Sequence, residues 1–207
     1  MLRGLRGALA GAAALGVVTL TDPAMAVQAG EVLAIKGDCF VETAGHRTPL
    51  KTGDAVQVGD VVDVAADAKL KLRMTDGSVI SAASGTRVTI DAYSAPGAGP
   101  RDAKLSLATG LLRAVVSAVA QPSRFEVQTA TGVAAVRSTD WFIAAAAGAT
   151  QVGVLDGVVT LASAATHRAV TIPARWGARV EAGRDPVPAR VWSQAEFDAV
   201  IRRTNTE

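Results

Sequence analysis

Apolar and polar residues alternate without interruption over residues 69–74, with the two-residue period of a β-strand. Successive side chains of a strand point to opposite faces, so Leu70, Leu72 and Met74 share one face and the three cations between them share the other. The Asp76-Gly77 pair that follows suits the left-handed backbone of a tight hairpin turn, and a second apolar run comes after it. The segment therefore predicts a hairpin with one buried face.

Short apolar runs of this kind recur along the chain, and glycine-containing turns separate many of them at intervals of roughly six to thirteen residues. Many short strands at such spacing predict an all-β fold of the sandwich, barrel or solenoid type. Residues 92–102 hold two prolines and two glycines within five positions, which favours a surface loop over a connector between subdomains. The predicted strands are Glu31–Ile35, Asp38–Thr43, Ala55–Val58, Val61–Val64, Ala68–Thr75, Ser78–Ala83, Arg87–Asp91, Ala103–Ala108, Gly110–Val116, Arg124–Thr129, Gly132–Arg137, Trp141–Ala146, Gln151–Leu155, Gly157–Ala162, Ala169–Ile172 and Ala178–Glu181.

The C-terminal end has a different pattern, which predicts one short amphipathic helix from Gln194 to about Arg203. Ser193 and Glu196 have the spacing of a capping box, in which each side chain accepts a hydrogen bond from the other residue's backbone amide. Trp192 and Phe197 flank this box at the spacing of a hydrophobic staple.

Two roles are open for this helix. Its apolar face can dock on the β-core, or it can present apolar and basic side chains to a partner. The candidate partner-contact residues are Phe197, Val200, Ile201, Arg202 and Arg203.

The first 26 residues have the three-part layout of a secretory signal peptide. Two arginines precede a largely apolar stretch over residues 7–20, and Ala24-Met25-Ala26 places small residues where a signal peptidase reads them. The alternative is a membrane anchor, but 14 helical residues span only about 21 Å, less than the roughly 30 Å hydrocarbon core of a bilayer. We therefore expect cleavage after Ala26, a periplasmic or secreted protein, and no transmembrane helix once the signal is removed.

Three segments follow from these patterns: a signal peptide over residues 1–26, an all-β domain over 27–183, and a linker with the C-terminal helix over 184–207. Pro186 and Pro188 stiffen the linker. The mature length suits one domain with a substantial core. The sequence does not determine an oligomeric state.

Charge and cysteine content exclude several classes of function. The chain has 21 Lys and Arg against 19 Asp and Glu, without the dense basic patch of a nucleic-acid-binding protein. Cys39 is the only cysteine, so no intrachain disulfide can form. Since Cys39 lies in a strand-like run, we interpret it as a small buried hydrophobe and not as a reactive thiol or interchain bridge.

The sequence contains no recognisable catalytic, cofactor or metal site. His46 and His167 are the only histidines, and each lies beside an arginine that disfavours a metal cation. Asp54, Asp60 and neighbouring aspartates lack the spacing of an EF-hand or of a calcium-binding nonapeptide repeat, so turn-stabilising roles explain them better. We predict that the protein is not an enzyme and needs no cofactor.

Several short motifs follow one another in a characteristic order. They are Gly30-Glu31-Val32, Gly37, Pro49-Leu50, Gly53, Gly59-Asp60, Asp76-Gly77-Ser78, Gly110, the Phe125-x-Val127-x-Thr129 run, Val136-Arg137-Ser138-Thr139-Asp140-Trp141, and a strand-turn-strand around Asp156-Gly157. This ordered set resembles the FecR domain, the extracytoplasmic domain of bacterial iron-uptake regulators and of many stand-alone envelope proteins. The resemblance covers about residues 30–162.

The chain departs from the family pattern at two positions of the signature over residues 136–141. Ser138 stands where the family has glycine, and Trp141 stands where it has phenylalanine. If the glycine serves a special backbone conformation, Ser138 should alter the local turn. Within the signature, Arg137 and Asp140 can pair with each other or satisfy loop backbone groups.

The resemblance implies an all-β, solenoid-like stack of short strands that works by binding and carries no catalytic residues. In the regulators, a membrane helix joins this domain to a cytoplasmic anti-sigma segment, and we expect this chain to carry the sensing half without those parts. We therefore predict a non-catalytic periplasmic signalling or binding module that contacts an envelope or outer-membrane protein. One alternative is a protein that binds peptidoglycan or another glycan, or that has a structural role in the cell envelope. The other alternative is an enzyme.

Overall fold

The structure is a computed structural model that describes residues 27–94, 100–118 and 123–206. The predicted signal peptide and the centre of the predicted loop at 92–102 lie outside these residues. The described residues form 17 strands and one helix. The strands are β1 (Gln28–Lys36), β2 (Cys39–Thr43), β3 (His46–Pro49), β4 (Ala55–Gln57), β5 (Val61–Val64), β6 (Lys69–Met74), β7 (Val79–Ala82), β8 (Arg87–Tyr93), β9 (Arg101–Val116), β10 (Ser123–Gln128), β11 (Gly132–Val136), β12 (Thr139–Ala146), β13 (Ala149–Asp156), β14 (Val158–Ser163), β15 (Ala169–Pro173), β16 (Trp176–Glu181) and β17 (Arg190–Val191), and the helix is α1 (Gln194–Thr204).

The strands pair in two ladders that share β9. Ladder 1 has the order β4-β1-β6-β7-β9-β12-β13-β16-β17. Ladder 2 has the order β3-β2-β5-β8-β9-β10-β11-β14-β15. Neighbouring strands are antiparallel except for the parallel pair β9–β10. Hairpins and other short connections therefore join most consecutive strands.

The strand β9 passes from one ladder to the other at Gly110. Its residues up to Thr109 pair in ladder 2, and its residues from Gly110 onward pair in ladder 1. Gly110 has a φ of 102°, and a Cβ at this position would lie 2.4 Å from Thr86. Because only glycine tolerates both the positive φ and this close approach, Gly110 makes the crossing possible.

The two ladders face each other around one hydrophobic core. Leu70 and Leu72 of ladder 1 belong to the same buried cluster as Val62 and Ile90 of ladder 2. The cations that alternate with Leu70 and Leu72 lie on the outer face of ladder 1, as the period of residues 69–74 predicts. Strand pairing leaves the sheet open at its ends.

The all-β prediction with one short C-terminal helix is confirmed, whereas solenoid-like stacking is not confirmed. Each of the 16 predicted strands overlaps an observed one, and the two runs predicted at 103–108 and 110–116 are the single strand β9. The strands β3 and β17 have no predicted counterpart, because they are short, exposed and without apolar alternation. The alanine-rich residues 144–146 lie within β12, in agreement with the predicted strand Trp141–Ala146.

The helix α1 begins with the predicted cap. The Ser193 side chain accepts a hydrogen bond from the Glu196 amide, and the Ser193 amide donates to the Glu196 carboxylate at 2.8 Å. The rings of Trp192 and Phe197 lie 5.6 Å apart, as expected for a hydrophobic staple. A Cβ on Gly177 would lie 2.1 Å from Nε1 of Trp192, so this glycine makes room for the indole on ladder 1.

Candidate functional site

Asp76 of the Asp-Gly-Ser hairpin between β6 and β7 is a buried carboxylate, with no exposed side-chain surface. It accepts hydrogen bonds from the Ser78 amide at 2.9 Å, the Tyr93 hydroxyl at 2.8 Å and Nη1 of Arg101 at 2.8 Å. The Ser78 hydroxyl donates a fourth bond, at 2.9 Å. A buried charge requires such compensation, because removal from water is costly for an ion.

The Arg101 side chain, only 2% exposed, connects this hairpin to the signature. Besides Asp76, it donates hydrogen bonds to the Ser117 carbonyl at 2.8 Å, the Arg137 carbonyl at 2.7 Å and the Ser123 hydroxyl at 3.1 Å. The planar guanidinium has several donors in a fixed geometry, so it can reach carboxylate and backbone acceptors at once. Arg101 therefore holds together two motifs that lie far apart in sequence.

The surroundings shift the acidity of Asp76 and Tyr93 in opposite directions. Burial raises the pKa of Asp76, but hydrogen bonds from Arg101, from the Ser78 amide and from Tyr93 outweigh it, so this pKa lies below its ordinary value. Burial and the Asp76 charge raise the pKa of Tyr93 far above its ordinary value. At neutral pH the site therefore contains a carboxylate, a guanidinium and a neutral phenol.

The signature connects β11 to β12 and divides into buried and exposed positions. Thr139 and Trp141 are buried, whereas Arg137 and Ser138 are exposed. Ser138 does not adopt a positive φ, so its backbone does not require the family glycine. Trp141 is fully buried, but its Nε1 has no hydrogen-bond partner among the described residues.

Arg137 and Asp140 do not pair with each other. The Asp140 carboxylate instead accepts two hydrogen bonds from Arg113 of β9, at 2.9 Å from Nε and 2.7 Å from Nη2. The hydrogen bonds from Arg113 to Asp140 raise the pKa of Arg113. This two-point contact ties the start of β12 to β9 and leaves the Arg137 side chain without an ion-pair partner among the described residues.

A cleft of about 600 Å³ runs along the signature, where β10 and β14 begin and β11 ends. Val158 on its wall is 52% exposed, and the Arg124 and Arg137 side chains are exposed beside it. A Cβ on Gly157 would lie 2.8 Å from the Ser138 carbonyl, so the acid-glycine turn packs directly on the signature. The cleft is lined by Ser123, Arg124, Phe125, Ala135, Val136, Arg137, Ser138, Thr139, Gly157, Val158 and Thr160.

The chemistry of this signature cleft suits binding. Its lining offers two guanidinium groups, small hydroxyls and an exposed valine. Arginine pairs with carboxylates or carbonyl groups, and the valine adds apolar contact area. Among the lining residues there is no histidine, cysteine, aspartate or glutamate that could act as a general base toward the serine and threonine hydroxyls.

The candidate reactive side chains lie apart from one another. His46 is in β3 and exposed His167 is in the turn between β14 and β15, near opposite edges of ladder 2, so the two histidines do not share a site. Burial raises the pKa of Cys39 to about 11, and its thiol faces the Lys69 carbonyl at 3.7 Å. The described residues hold no group of three or more His, Cys, Asp or Glu that could bind a metal ion.

The residues predicted for partner contact divide into two sets. Phe197 and Val200 are buried against this chain's own β-body, in a cluster with Leu111, Phe142 and Trp192. This arrangement matches the docking role of the helix, one of the two that the sequence left open. Ile201 is half-buried, and Arg202 and Arg203 are exposed, so a partner could reach only this second set without displacing the helix.

Sequence reasoning missed Arg101 and Tyr93 as members of a site. Both lie next to residues 95–99, where prolines and glycines masked any pattern. Arg101 stands between Pro100 and Asp102, outside any apolar alternation, so no local pattern marked it as a buried partner of Asp76. Asp54 and Asp60, in contrast, accept the backbone amides of Lys51 and Gln57, which are the turn roles that the sequence predicts.

Comparison with known proteins places this geometry in a family. Residues 60–160 match the model of the family described as FecR protein, and both the Asp-Gly-Ser hairpin and the signature lie within the match. No curated protein sequence matches the chain. Within the described parts of the chain, no helix has the length and apolarity that crossing a bilayer requires.

Two crystal structures, at 1.65 Å and 2.50 Å resolution, share this fold. Both are of a candidate anti-sigma factor from Parabacteroides distasonis, with a TM-score of 0.55 and 15% sequence identity. The similarity covers 67% of this chain and 63% or 62% of those chains, so the chain spans less than two thirds of their length. The family match and the two motifs that Arg101 joins identify residues 60–160 of this chain as a FecR domain.

Proposed function

We propose that this chain is a non-catalytic binding module in FecR-type signalling, and that it recognises another protein of the cell envelope at the signature cleft. The observation that carries the proposal is the convergence of the family's motifs. Arg101 joins the Asp-Gly-Ser hairpin to the signature from below, and the exposed residues Arg137 and Val158 lie above this buried network. A rigid base under an accessible cleft is the arrangement that a recognition surface needs.

The relatives support a regulatory role. The FecR family and the Parabacteroides distasonis protein, described as a candidate anti-sigma factor, belong to regulatory classes, and such proteins act through contacts with other proteins. The fold similarity alone would not carry a function. The proposal therefore depends on the signature cleft, whose lining provides recognition groups without a nucleophile and base pair.

The distribution of aromatic residues favours a protein partner over a glycan. The chain has four phenylalanines, three tryptophans and one tyrosine, and the structure describes all of them. Six are buried, Phe40 is half-buried, and only Trp176 is exposed, at 37%. Phe40 and Trp176 belong to different ladders and to opposite halves of the fold. Stacking of sugar rings or bases usually needs a face of exposed aromatic rings, which this surface does not offer.

Export to the periplasm is part of the proposal. It rests on the signal-peptide pattern of residues 1–26 and on the envelope association of the family. Cell fractionation followed by N-terminal sequencing tests it. A periplasmic form that begins at Val27 supports export with cleavage after Ala26, and a cytoplasmic protein that begins at Met1 contradicts it.

Photocrosslinking from the signature cleft tests the recognition surface. A photoreactive phenylalanine analogue replaces Val158, which is 52% exposed, in one variant and Val115, which is 46% exposed on the outer face of ladder 1, in the control. Irradiation of intact native cells should give one dominant adduct from position 158, identified by mass spectrometry as an envelope protein. The control position should not give this adduct.

A charge variant tests whether the crosslinked partner binds at the signature cleft. Arg137→Glu should remove the adduct at position 158, because it reverses a cation on the cleft without touching the buried network. Sedimentation with purified cell-wall sacculi tests the glycan alternative in parallel. The proposal is wrong if no envelope protein is captured, if both positions capture the same set, or if Arg137→Glu leaves the adduct unchanged.

A further inference from the structure

A second recess lies between the C-terminal end of α1 and the outer face of ladder 1. Its volume is about 490 Å³. We call it the basic groove, and its lining is Lys36, Asp67, Ala68, Lys69, Ala83, Ser84, Ala199, Arg202 and Arg203. Four of these nine residues are cations and one is an acid, so the groove has a local excess of three positive charges.

Strand pairing and the position of the helix produce this concentration of charge. Lys36 of β1 pairs directly with Lys69 of β6, so both project from the outer face of ladder 1. The Lys69 ammonium group then donates hydrogen bonds to the Arg202 and Asn205 carbonyls, each at 2.7 Å. Lys69 thus holds the last turn of the helix against the strand and brings Arg202 and Arg203 beside Lys36.

The four cations of the groove outnumber its one carboxylate, Asp67. No ion pair involves Lys36, Lys69, Arg202 or Arg203 among the described residues, whereas Arg73 and Arg113, on the same face, pair with Glu31 and Asp140. Like charges at this density repel one another and raise the energy of the unliganded surface. Lysines and arginines around small, uncharged alanines instead form a receptor for negative charge.

We propose that the basic groove binds an acidic segment of the protein partner, which deepens the proposed function and rests on it. The concave shape favours an extended chain of carboxylates over a flat lipid surface, because the helix forms one wall and the strands form the floor. Its lining has no large apolar side chain that would insert into a bilayer, since its apolar residues are alanines. The groove therefore acts as an electrostatic docking site next to ladder 1, separate from the signature cleft on ladder 2.

The test measures binding of a fluorescein-labelled peptide of eight glutamates to the purified protein by fluorescence anisotropy. The groove variant carries Lys36→Gln, Arg202→Gln and Arg203→Gln. The matched control carries Lys51→Gln, Lys104→Gln and Arg168→Gln, three exposed cations outside the groove. Each variant loses the same net charge, and the Lys69 anchor to backbone carbonyls persists in both.

We expect the groove variant to weaken peptide binding at least tenfold and the control less than twofold. A labelled peptide of eight glutamines should not bind, and added salt should weaken the octaglutamate complex, since screening reduces such contacts. Circular dichroism of both variants should match the wild type. Equal losses in the two variants, or no binding of octaglutamate to the wild type, would overturn the proposal.

Two further measurements separate this proposal from its alternatives. Groove-dependent binding to phosphatidylglycerol vesicles without peptide binding would assign the groove to a membrane and overturn it. The crosslink from position 158 reports the proposed function independently. If that adduct forms equally in the groove variant, the partner does not use the groove, and the present inference fails while the proposed function stands.

Discussion

Arg101–Asp76 and Arg190–Glu196 join the same two chemical groups at similar N–O distances of 2.8 and 2.6 Å, but in opposite surroundings. The Arg101 pair is inside the β-body, with side chains 2% and 0% exposed. The Arg190 pair is at the surface, where the side chains are 61% and 34% exposed. The comparison separates the attraction between two nearby charges from the additional hydrogen-bond partners that a buried ion pair requires.

Burial makes the Arg101 pair dependent on every neighbour. Each charge loses its water, and the remaining donors must find acceptors such as the Ser117 and Arg137 carbonyls. The surface pair needs no such network, because water solvates whatever the partner leaves free. A buried pair therefore fixes the position of distant strands, whereas a surface pair adjusts to a helix that other contacts already hold.

The largest expected effect comes from removal of one buried charge. Asp76→Asn should lower the free energy of unfolding by about 3–5 kcal/mol, because Arg101 remains buried without its counterion. Urea unfolding followed by circular dichroism measures the loss. The exposed Asp185→Asn is the control and should change the free energy by less than about 0.5 kcal/mol.

The double variant Asp76→Asn/Arg101→Met should be more stable than Asp76→Asn alone, since it also removes the orphaned cation. Acid should reproduce part of the effect in the wild type. The pKa of Asp76 is depressed in the folded state, so its contribution is complete above about pH 4 and is lost as the pH falls through its folded pKa. If the wild type and Asp76→Asn lose stability equally in acid, the comparison between the two pairs is wrong.

Truncation of Phe197 should have the next largest effect. Phe197→Ala should cost about 3 kcal/mol, because the ring is fully buried between Phe142 and Trp192. Limited proteolysis should then cut the C-terminal segment faster than in the wild type. Ile201→Ala, at a half-buried position of the same helix, is the control. Equal effects would mean that the aromatic cluster does not hold the helix.

The helix cap should contribute less. Ser193→Ala removes the side chain that accepts the Glu196 amide and should cost about 1 kcal/mol. Thermal unfolding measures the change. Ser193→Asp keeps an acceptor at the cap and should retain most of the stability. A loss with Asp as large as the loss with Ala would contradict the capping role.

The smallest expected effect comes from the surface ion pair Arg190–Glu196. Hydrogen bonds from Arg190 and from the Ser193 amide lower the pKa of Glu196 to about 2. Since this pKa is depressed, the contribution of Glu196 is present above about pH 4 and disappears as the pH falls toward 2. NMR titration of the carboxyl carbon measures it. Arg190→Gln should raise the pKa toward its ordinary value, and an unchanged value would show that Arg190 has no influence.

Local patterns predicted much of the fold. The alternation at residues 69–74 identified both faces of β6, and the capping box identified where α1 begins. These features depend on contacts within a few residues, so sequence spacing is sufficient to read them. Strands β3 and β17 were not predicted, because they consist of four and two exposed residues and show no apolar alternation.

The candidate sites were harder to predict for the opposite reason. The resemblance pointed to the signature, but neither Arg101 nor Tyr93 belongs to a motif, and their partner Asp76 looked like an ordinary turn residue. The cations of residues 69–73 and the Arg202-Arg203 pair likewise lie far apart in the sequence, which gives no sign that they meet. Only the packing of α1 on ladder 1 brings them to one groove.

The sequence by itself determined the all-β class, the alternation of buried and exposed positions, the helix cap and the membership suggested by ordered motifs, because each is encoded by neighbouring residues. The tertiary structure alone decided that two ladders share β9, that Arg101 reaches both Asp76 and Arg137, and that Lys69 binds the last turn of the helix. These contacts join residues 25 to 133 positions apart, and their free energy depends on burial and geometry that no local pattern contains.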